Sequence, residues 1–332
     1  EAIDVEELVT VVQDRASKLS ITKSLENTLY HIGKDSNTID IIKDLIFNED
    51  ASHVIPTGFK TWDDINGGFI RGSFVLIAGA TGAGKSLLAG QLAKNQAELG
   101  YRVSLVPLEM SLVEMLGRQL ANVSRFDNTK IQFKRLAEGE KTLAFKRWRR
   151  FERKIRDAGG RYTVFKPNED ISIEETFGAL HSLRSDVTYL DYLGLFKGAD
   201  AEDQWRKLGA MCRFGKIYAE STKSIVVGLA QLSEEGTVRY SRAMAEHAST
   251  SSTSRAPKAS REQGYLQIMP TKARNQHLFD FTLGVDYARQ WVGDMSTEER
   301  RGVEEGAQRK AKGKSSDDAD DDQKYLPDVT ND

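Results

Sequence analysis

Residues 74–86 have the sequence FVLIAGATGAGKS, and this stretch decides the fold class of the chain. The apolar run Phe74–Ala78 is nearly continuous, which is typical of strands buried on both faces of a sheet. The next eight residues, 79–86, match the pattern G-x-x-x-x-G-K-[ST] in full. Residues 87–99 have the pattern of a helix. A strand, a glycine-rich loop and a helix in this order predict a loop whose backbone N–H groups bind phosphate.

The motif also predicts the chemistry of this loop. The Lys85 ammonium reaches the β- and γ-phosphates of a nucleotide, and the Ser86 hydroxyl is a ligand for Mg²⁺. ATP and Mg²⁺ are therefore the predicted cofactors. The dinucleotide pattern G-x-G-x-x-G does not occur in the chain. The predicted nucleotide-binding residues are Gly79, Ala80, Thr81, Gly82, Ala83, Gly84, Lys85, Ser86 and Leu87.

Strand and helix patterns alternate through the middle of the chain. This alternation predicts an α/β fold with a mainly parallel central sheet, preceded by a short helical segment in residues 1–47. The predicted strands are Phe74–Ala78, Val103–Leu108, Tyr162–Phe165, Val187–Asp191, Ser224–Ala230, Tyr265–Thr271 and Phe281–Val285.

Composition excludes several classes of protein. The chain has 332 residues, of which 39% are apolar and 29% charged, so a packed core can form. One cysteine and six prolines argue against disulfide-stapled and collagen-like proteins. We find no apolar stretch approaching the ~20 residues that cross a bilayer, and no secretory leader. We expect a non-secreted protein of the cytoplasm with no membrane partner.

Charge is unevenly distributed along the chain. Residues 1–52 contain 11 acidic and 5 basic residues, and residues 294–332 contain 12 acidic and 7 basic residues. With a total of −2, residues 53–293 then carry a charge of +9. We predict a helical linker or oligomerisation segment at 1–52, a catalytic domain at 53–293 and an acidic, disordered tail at 294–332. A basic middle is compatible with a polyanionic partner.

Three polar residues lie at predicted strand ends, where ligands bind in open α/β sheets. Asp191 ends a buried strand and fits the second carboxylate of a Mg²⁺ site, or a helix cap. Glu109 fits a general base that activates water if its strand neighbours Phe74–Ala78, or an acid that opens the next helix. Gln231 fits a sensor of the γ-phosphate, or an ordinary strand-end amide.

Two other segments are unusual in composition. Residues 248–261 (ASTSSTSRAPKASR) are rich in Ser, Thr and basic residues, which predicts a mobile loop. Residues 134–156 are strongly basic and fit either a nucleic-acid site or a solvated helix face. Trp148, Phe151 and Ile155 within them have the spacing of a buried helical stripe.

The motifs together resemble a known family. GATGAGKS, PLEMS, TYLDYLGLF, GLAQLSEE and TKARN occur in the order found in the C-terminal ATPase domain of DnaB-type replicative helicases. The entry TGFKTWDDINGGFIRGSFVLIAGA is also similar to that family. The resemblance extends over 57–292. It implies a RecA-like P-loop NTPase that assembles as a hexameric ring around single-stranded DNA.

The resemblance implies a role for each motif residue. Glu109 matches the catalytic glutamate, Asp191 the Mg²⁺-associated aspartate and Gln231 the phosphate-sensing glutamine. Lys272 and Arg274 match a basic pair that reaches the nucleotide of the neighbouring subunit, with Arg274 as an arginine finger. Without the resemblance, Lys272 and Arg274 fit a solvated strand end.

The family places a DNA-binding loop after the residue that Gln231 matches. Residues 234–261 correspond to that loop and offer Arg239, Tyr240 and Arg242 as DNA contacts, with Arg255, Lys258 and Arg261 further along. Cations there would bind the phosphate backbone, and Tyr240 would stack on a base. Lys197, in the loop after Asp191, is a second candidate.

The implied function is an ATP-dependent helicase that moves 5′ to 3′ on single-stranded DNA and unwinds a fork, with a primase or a helicase loader as possible partners. Fewer than 60 residues precede the P-loop domain, where the family carries a collar of well over 100, and 276–279 differ from a segment often rich in Gly and Pro. Two alternatives stay open: a RecA- or RadA-like recombinase filament, and a KaiC-like ATP-driven switch without nucleic acid.

Overall fold

The computed structural model describes residues 53–168, 171–197, 204–232, 244–256 and 262–296, and the isolated positions 39, 40, 42, 43, 46, 298, 299 and 302. The chain divides into two compact units, 1–52 and 53–332. The described positions of the first unit are helical, and Ile39, Ile42 and Ile46 are exposed. The remainder of the predicted N-terminal helices and the acidic tail after 302 lie outside the described residues.

The second unit is built on a nine-stranded sheet in the order β11-β10-β9-β8-β3-β7-β6-β4-β5. The strands from β8 to β5 run parallel, and β9, β10 and β11 continue the sheet in antiparallel pairs. Strands β1 and β2 form a separate antiparallel pair. The strands are β1 (Val54–Ile55), β2 (Phe69–Ile70), β3 (Phe74–Gly79), β4 (Arg102–Pro107), β5 (Arg161–Val164), β6 (Val187–Asp191), β7 (Ile225–Gln231), β8 (Thr250–Arg255), β9 (Tyr265–Ala273), β10 (Phe281–Asp286) and β11 (Trp291–Asp294).

Helices connect most of the parallel strands and cover both faces of the sheet, as parallel connections require. None of the helices among the described residues is both long and apolar enough to cross a membrane. The helices are α1 (Lys60–Asn66), α2 (Lys85–Glu98), α3 (Leu112–Ser124), α4 (Asn128–Gln132), α5 (Glu138–Asp157), α6 (Ile173–His181) and α7 (Gln204–Thr222), with a 3₁₀ turn at Leu193–Leu195.

Strand β3 shows how the core is divided between the two faces. Val75 and Ile77 belong to the cluster under α2, α3 and α5, whereas Phe74, Leu76 and Ala78 belong to the cluster under α6 and α7. Side chains alternate between faces along a strand, so an unbroken apolar run is needed where both faces are covered. The predicted α/β fold with a mainly parallel sheet is therefore confirmed.

The prediction of a mobile loop at 248–261 is wrong for its first half. Residues Thr250–Arg255 form β8, which pairs with β3 on one side and β9 on the other. Its small hydroxyl side chains are mostly buried and bond across the strands, as Ser251 does with the Thr271 hydroxyl at 2.8 Å. Arg255 consequently ends a strand of the sheet, and Lys258 and Arg261 lie outside the described residues. The sequence patterns also missed β1, β2 and β11.

A buried carboxylate joins the starts of β4 and β6 to the turn between β2 and β3, at the end of the sheet opposite the P-loop. Asp186 precedes β6 and accepts hydrogen bonds from the backbone N–H and the guanidinium of Arg102, at 2.9 to 3.1 Å, and from Arg71 at 3.1 Å. Burial raises the pKa of the Asp186 carboxyl, but these hydrogen bonds outweigh burial and hold the pKa below its ordinary value. The carboxylate therefore stabilises the folded chain when it is ionised.

Replacing Asp186 with Ala is expected to lower the free energy of unfolding by about 2 kcal/mol, because buried donors lose a charged acceptor while half-exposed Arg102 regains water. The depressed pKa means that the stabilisation is complete above the ordinary Asp pKa and is lost as pH falls through the depressed value. Urea unfolding of both chains from neutral to acid pH measures it. Asp64→Ala is the control, because its ion pair with Lys60 is exposed. Equal losses from the two substitutions would contradict this account.

Candidate nucleotide-binding site

The phosphate-binding loop follows β3 directly. Helix α2 begins at Lys85, and Gly84 before it has a φ of 76°, in the left-handed region that favours glycine. A Cβ on Gly79 would lie 2.6 Å from the Ser254 carbonyl oxygen, so only glycine fits where β3 meets β8. The Ala83 carbonyl accepts a 2.6 Å hydrogen bond from the buried Ser254 hydroxyl. The loop is thus held by a strand that the sequence patterns did not predict.

Lys85 projects into a cleft of about 430 Å³ beside this loop. Its ammonium donates to the carbonyls of Gly79 and Ala80, both at 2.8 Å, and so lies folded over the loop. Burial lowers the pKa of Lys85, and the carboxylates of Asp191 and Glu109 partly offset that effect. The ammonium is therefore a half-buried cation with little solvent to compete with an anionic ligand.

Asp191 ends β6 beside Ser86. The Ser86 hydroxyl donates to the Asp191 carboxylate at 3.0 Å, and the carboxyl group is almost wholly buried. Burial raises the pKa of Asp191 to about 6, and the nearby Glu109 carboxylate acts in the same direction, against the Ser86 hydrogen bond and Lys85. A buried carboxylate whose charge is so poorly compensated fits a place beside a divalent cation.

Glu109 lines the same cleft, although its strand is not a neighbour of β3, as the sequence prediction required. Strand β4 pairs with β5 and β6, so β6 and β7 separate it from β3. Glu109 reaches the cleft because the Leu108 N–H donates to the Asp191 carbonyl at 2.7 Å, which joins the ends of β4 and β6. Its side chain is exposed in the cleft, as a water-activating carboxylate must be.

Gln231 ends β7, the strand next to β3, in register with Gly79. Its side-chain amide donates to the Thr81 hydroxyl at 2.7 Å, and the Leu232 N–H donates to the Gly79 carbonyl at 2.9 Å. The amide thus touches the phosphate loop itself.

Six further residues line the cleft that the sequence patterns did not single out. Glu114 and Arg118, one turn apart on α3, are joined at 2.8 Å, and the charge of Arg118 opposes the burial that raises the pKa of Asp191. The Arg118 Nε is buried and has no hydrogen-bond partner among the described residues. The spacing of Glu114 and Arg118, in the helix predicted after Glu109, could have identified these two residues from the sequence. The other residues are brought to the cleft only by the fold. The six are Met110, Glu114, Arg118, Tyr192, Tyr287 and Gln290.

Lys272 and Arg274 lie at the opposite end of the central strands from the phosphate loop, near the start of β3. Strand β9 is antiparallel to β8, so Ala273 pairs with Thr250, and the Arg274 N–H donates to the Ser249 carbonyl. The Ser249 N–H in turn bonds to Phe74 at the start of β3, about 16 Å from Gly79 at ~3.3 Å per residue. Neither basic side chain lines the cleft of its own chain.

The two basic side chains differ in their surroundings. The Lys272 ammonium donates to the carbonyls of Ala245 and Glu246, at 2.6 and 2.8 Å, and burial followed by the nearby Arg274 lowers its pKa. The Arg274 side chain is exposed. Its guanidinium makes no hydrogen bond or ion pair with a described residue.

The segment after Arg274, where the sequence departs from the family pattern, is fixed by polar side chains. Gln276 donates to the Gly68 carbonyl and accepts from the Thr250 hydroxyl. Asn66 accepts from the His277 N–H at 2.7 Å and donates to the His277 carbonyl at 3.2 Å. These contacts anchor the chain next to Arg274 to the β2 turn and α1.

The candidate DNA contacts are only partly described. Arg239, Tyr240 and Arg242 lie outside the described residues. Lys197 follows the 3₁₀ turn after Asp191 and is exposed. The role of all four stays a prediction.

The comparisons with known proteins decide the family. A family model described as the DnaB-like helicase C terminal domain matches residues 54–245, more than half of the chain. The chain belongs to the DnaB-like helicase C-terminal domain family. The family resemblance inferred from the motifs is thereby confirmed.

Curated relatives of this DnaB-like domain are distant and longer. A probable replicative DNA helicase of Guillardia theta is 24% identical over 242 residues, which are 70% of this chain and 37% of that protein. A probable plasmid replicative DNA helicase of Chlamydia trachomatis is 27% identical, over 54% of this chain and 40% of its own. Replicative DNA helicase DnaB of Geobacillus stearothermophilus is 22% identical, over 69% of this chain and 51% of that protein. The chain thus spans between about a third and a half of these relatives.

Solved structures agree on the fold of the DnaB-like domain. A structure that consists of an ATPase domain alone matches with a TM-score of 0.67 and 19% identity, over 80% of this chain and 99% of that chain. A DnaB-like replicative helicase, whose structure was described together with its interactions with primase, matches with a TM-score of 0.69 and 17% identity. The match covers 88% of this chain and 74% of that chain.

A Mg²⁺ ion that accompanies a nucleotide fits the donor set of this cleft. The described residues contain no cluster of three or more His, Cys, Asp or Glu that could hold a metal without a ligand. Ser86 and Asp191, 3.0 Å apart, supply two oxygens, and magnesium usually completes its shell with water and phosphate. The two residues therefore suit a nucleotide-bound ion better than a resident one.

The Ser254 hydroxyl gives a direct test of how β8 supports the loop. Ser254→Ala is expected to lower the free energy of unfolding by about 1 kcal/mol, because the buried Ala83 carbonyl loses its donor. It is also expected to reduce the rise in melting temperature caused by Mg²⁺–ATP, because the phosphate loop is less well held. Differential scanning fluorimetry measures both. Ser252→Ala on the same strand is the control, and an equal ATP effect in all three chains would refute the supporting role.

Proposed function

We propose that this chain is the ATP-driven motor of a ring-shaped replicative DNA helicase. In this proposal it moves 5′ to 3′ along single-stranded DNA and unwinds a forked duplex by excluding the other strand. Family membership supports the class of motor. The carrying observation is geometric: Lys85, Ser86, Asp191, Glu109 and Gln231 share one cleft, whereas Arg274 lies at the opposite edge of the same sheet.

Each residue in the cleft has a role that follows from its contacts. Backbone N–H groups of the loop and the Lys85 ammonium bind the phosphates of ATP, and Ser86 and Asp191 hold the accompanying Mg²⁺. Bound Mg²⁺ neutralises charge on the phosphates. Glu109 polarises the attacking water, and Gln231 transmits the state of the loop to the residues that follow β7.

Arg274 has its role in a second copy of the chain. Its backbone N–H is bonded to Ser249, and the phosphate loop of the same chain begins about 16 Å away along β3, which is too far for the Arg274 side chain to reach. An exposed guanidinium without an intramolecular partner among the described residues is suited to bind the γ-phosphate in a neighbour's cleft. Lys272 accompanies it once its ammonium leaves the carbonyls of Ala245 and Glu246.

Assembly and DNA contact complete the proposal. A hexameric ring places the residues after Gln231, among them Arg239, Tyr240 and Arg242, along a central channel, with Lys197 as a second contact. Residues 1–52 connect neighbouring copies, and 294–332 form an acidic tail. A primase and a helicase loader are the proposed partners, the first by analogy with a structural relative studied with primase. The proposed place of action is the cytoplasm.

Unwinding of a forked DNA with a 5′ single-stranded arm tests the motor. The native chain with ATP and Mg²⁺ is expected to separate the strands, and Lys85→Ala is expected to bind DNA without separating them, because it lacks the phosphate-binding ammonium. Gel or fluorescence assays of strand separation measure this. ATP hydrolysis stimulated by single strands on an intact fork would favour the recombinase. Hydrolysis unaffected by DNA would favour the ATP-driven switch.

Mixed assemblies test whether Arg274 acts in trans. Arg274→Ala and Lys85→Ala are each expected to lower ATP hydrolysis by at least 10³-fold, a magnitude usual for arginine fingers. In co-assembled equal mixtures about a quarter of the interfaces pair an intact cleft with an intact arginine, so activity should return. Mixing Lys85→Ala with Gln231→Ala is the control, because both residues belong to one cleft and no interface is complete. Failure of the first mixture to recover would exclude the trans role.

A further inference from the structure

Helix α5 has one face against the core and an opposite face that is unusually basic. Ala144, Phe151 and Ile155 are buried, and Trp148 packs partly against the same cluster. The opposite side carries five exposed cations at helical spacings of three and four, which places them in one row. This set, called the basic face, consists of Lys146, Arg149, Arg150, Arg153 and Arg156.

Most of these charges have no partner within the part of the chain that the structure describes. Arg149 approaches the Glu152 carboxylate at 4.0 Å. Lys146, Arg150, Arg153 and Arg156 make no ion pair with any described residue. Like charges one turn apart destabilise a helix by about 0.2 to 0.5 kcal/mol per pair. The basic face therefore has a stability cost that a bound polyanion would offset.

The chemistry of the basic face suits phosphate. Four of its five members are arginines, whose planar guanidinium donates two parallel hydrogen bonds to a phosphate group. From Lys146 to Arg156 the row is about 15 Å long at ~1.5 Å per residue, enough to follow several phosphates of a strand. Phe145 beside it is exposed, and the Arg149 guanidinium lies over its ring at 5.9 Å from the ring centre.

The basic face belongs to a helix at the β5 side of the sheet, three strands from β7. Helix α5 leads into β5, the edge strand of the sheet, whereas Arg239, Tyr240 and Arg242 follow β7 in the sequence and Lys197 follows β6. Strands β6 and β4 separate β5 from β7, so about 14 Å lies between them at ~4.8 Å per strand. The basic face therefore lies at a different part of the sheet from the strand that leads to Arg239, Tyr240 and Arg242, as a surface for a different strand of the fork would.

We propose that the basic face of α5 binds the phosphate backbone of the DNA strand that the motor excludes from its channel. This inference rests on the proposed helicase function and adds a second nucleic-acid surface to it. The contact is independent of sequence, because it uses backbone charge, and it is sensitive to salt.

A triple variant, Lys146→Gln, Arg150→Gln and Arg153→Gln, tests the proposal in the full chain. Glutamine keeps helix propensity and all three positions are exposed, so folding is expected to be unchanged and is checked by circular dichroism. Affinity is measured with a slowly hydrolysed ATP analogue on two DNAs: a fork with both single-stranded arms, and the same duplex with the 5′ arm alone. The matched control removes three exposed cations elsewhere: Arg184→Gln, Arg213→Gln and Lys223→Gln.

The triple variant is expected to bind the two-armed fork about tenfold more weakly, with a salt dependence less steep by about two in log–log slope. Its affinity for the one-armed DNA is expected to equal that of the native chain, and the control variant is expected to bind both DNAs normally. Equal affinity and slope on the two-armed fork would overturn the proposal, as would equal losses on both DNAs or an equal loss in the control.

Two other results overturn the proposal for different reasons. If substitution leaves fork binding unchanged but makes 315–332 sensitive to protease, the basic face holds the acidic tail of the chain instead. If the native chain binds neither DNA, the helicase function fails together with this inference. If the native chain unwinds forks and the triple variant behaves like the native chain, this inference alone fails and the helicase function stands.

Discussion

The nucleotide cleft depends on the burial of β3 between β7 and β8. Both neighbours run parallel to it and both faces are covered, so the backbone leaves the sheet at Gly79 with little freedom. That constraint fixes the direction of the loop and the start of α2. It also fixes which groups can approach the loop: Ser254 from β8 on one side and Gln231 from β7 on the other.

The electrostatics of the cleft follow from the same burial. Desolvation acts in opposite directions on its two central groups, lowering the pKa of Lys85 and raising that of Asp191 to about 6. Each group therefore lacks full charge compensation from the chain alone. Under the proposed function, an anionic nucleotide beside Lys85 and a divalent cation beside Asp191 would relieve both deficits at once, which would couple the binding of the two ligands.

Much of this could be predicted from the sequence where the pattern was local. The loop 79–86, the parallel strands and the buried side of α5 each follow from a short periodicity or motif. The strand β8 could not be predicted, because its hydroxyl side chains resemble a loop in composition and are satisfied only by partners such as Thr271 and Ala83. Glu109 was assigned to the cleft, but through the wrong strand neighbour, because the order of strands depends on contacts distant in sequence. Tyr287 and Gln290 reach the cleft from a turn without a motif.

The antiparallel course of β9 has a consequence for assembly. It puts Arg274 and the phosphate loop at opposite edges of the same sheet, so under the proposed function one copy holds two complementary half-sites that never meet. Contacts between such copies are head-to-tail, and they close into rings or extend into helices according to the rotation between neighbours. A single copy therefore has no complete site. An open row of copies leaves one site incomplete, and a closed ring completes every site. Closure of the ring would then complete the last site and make it active.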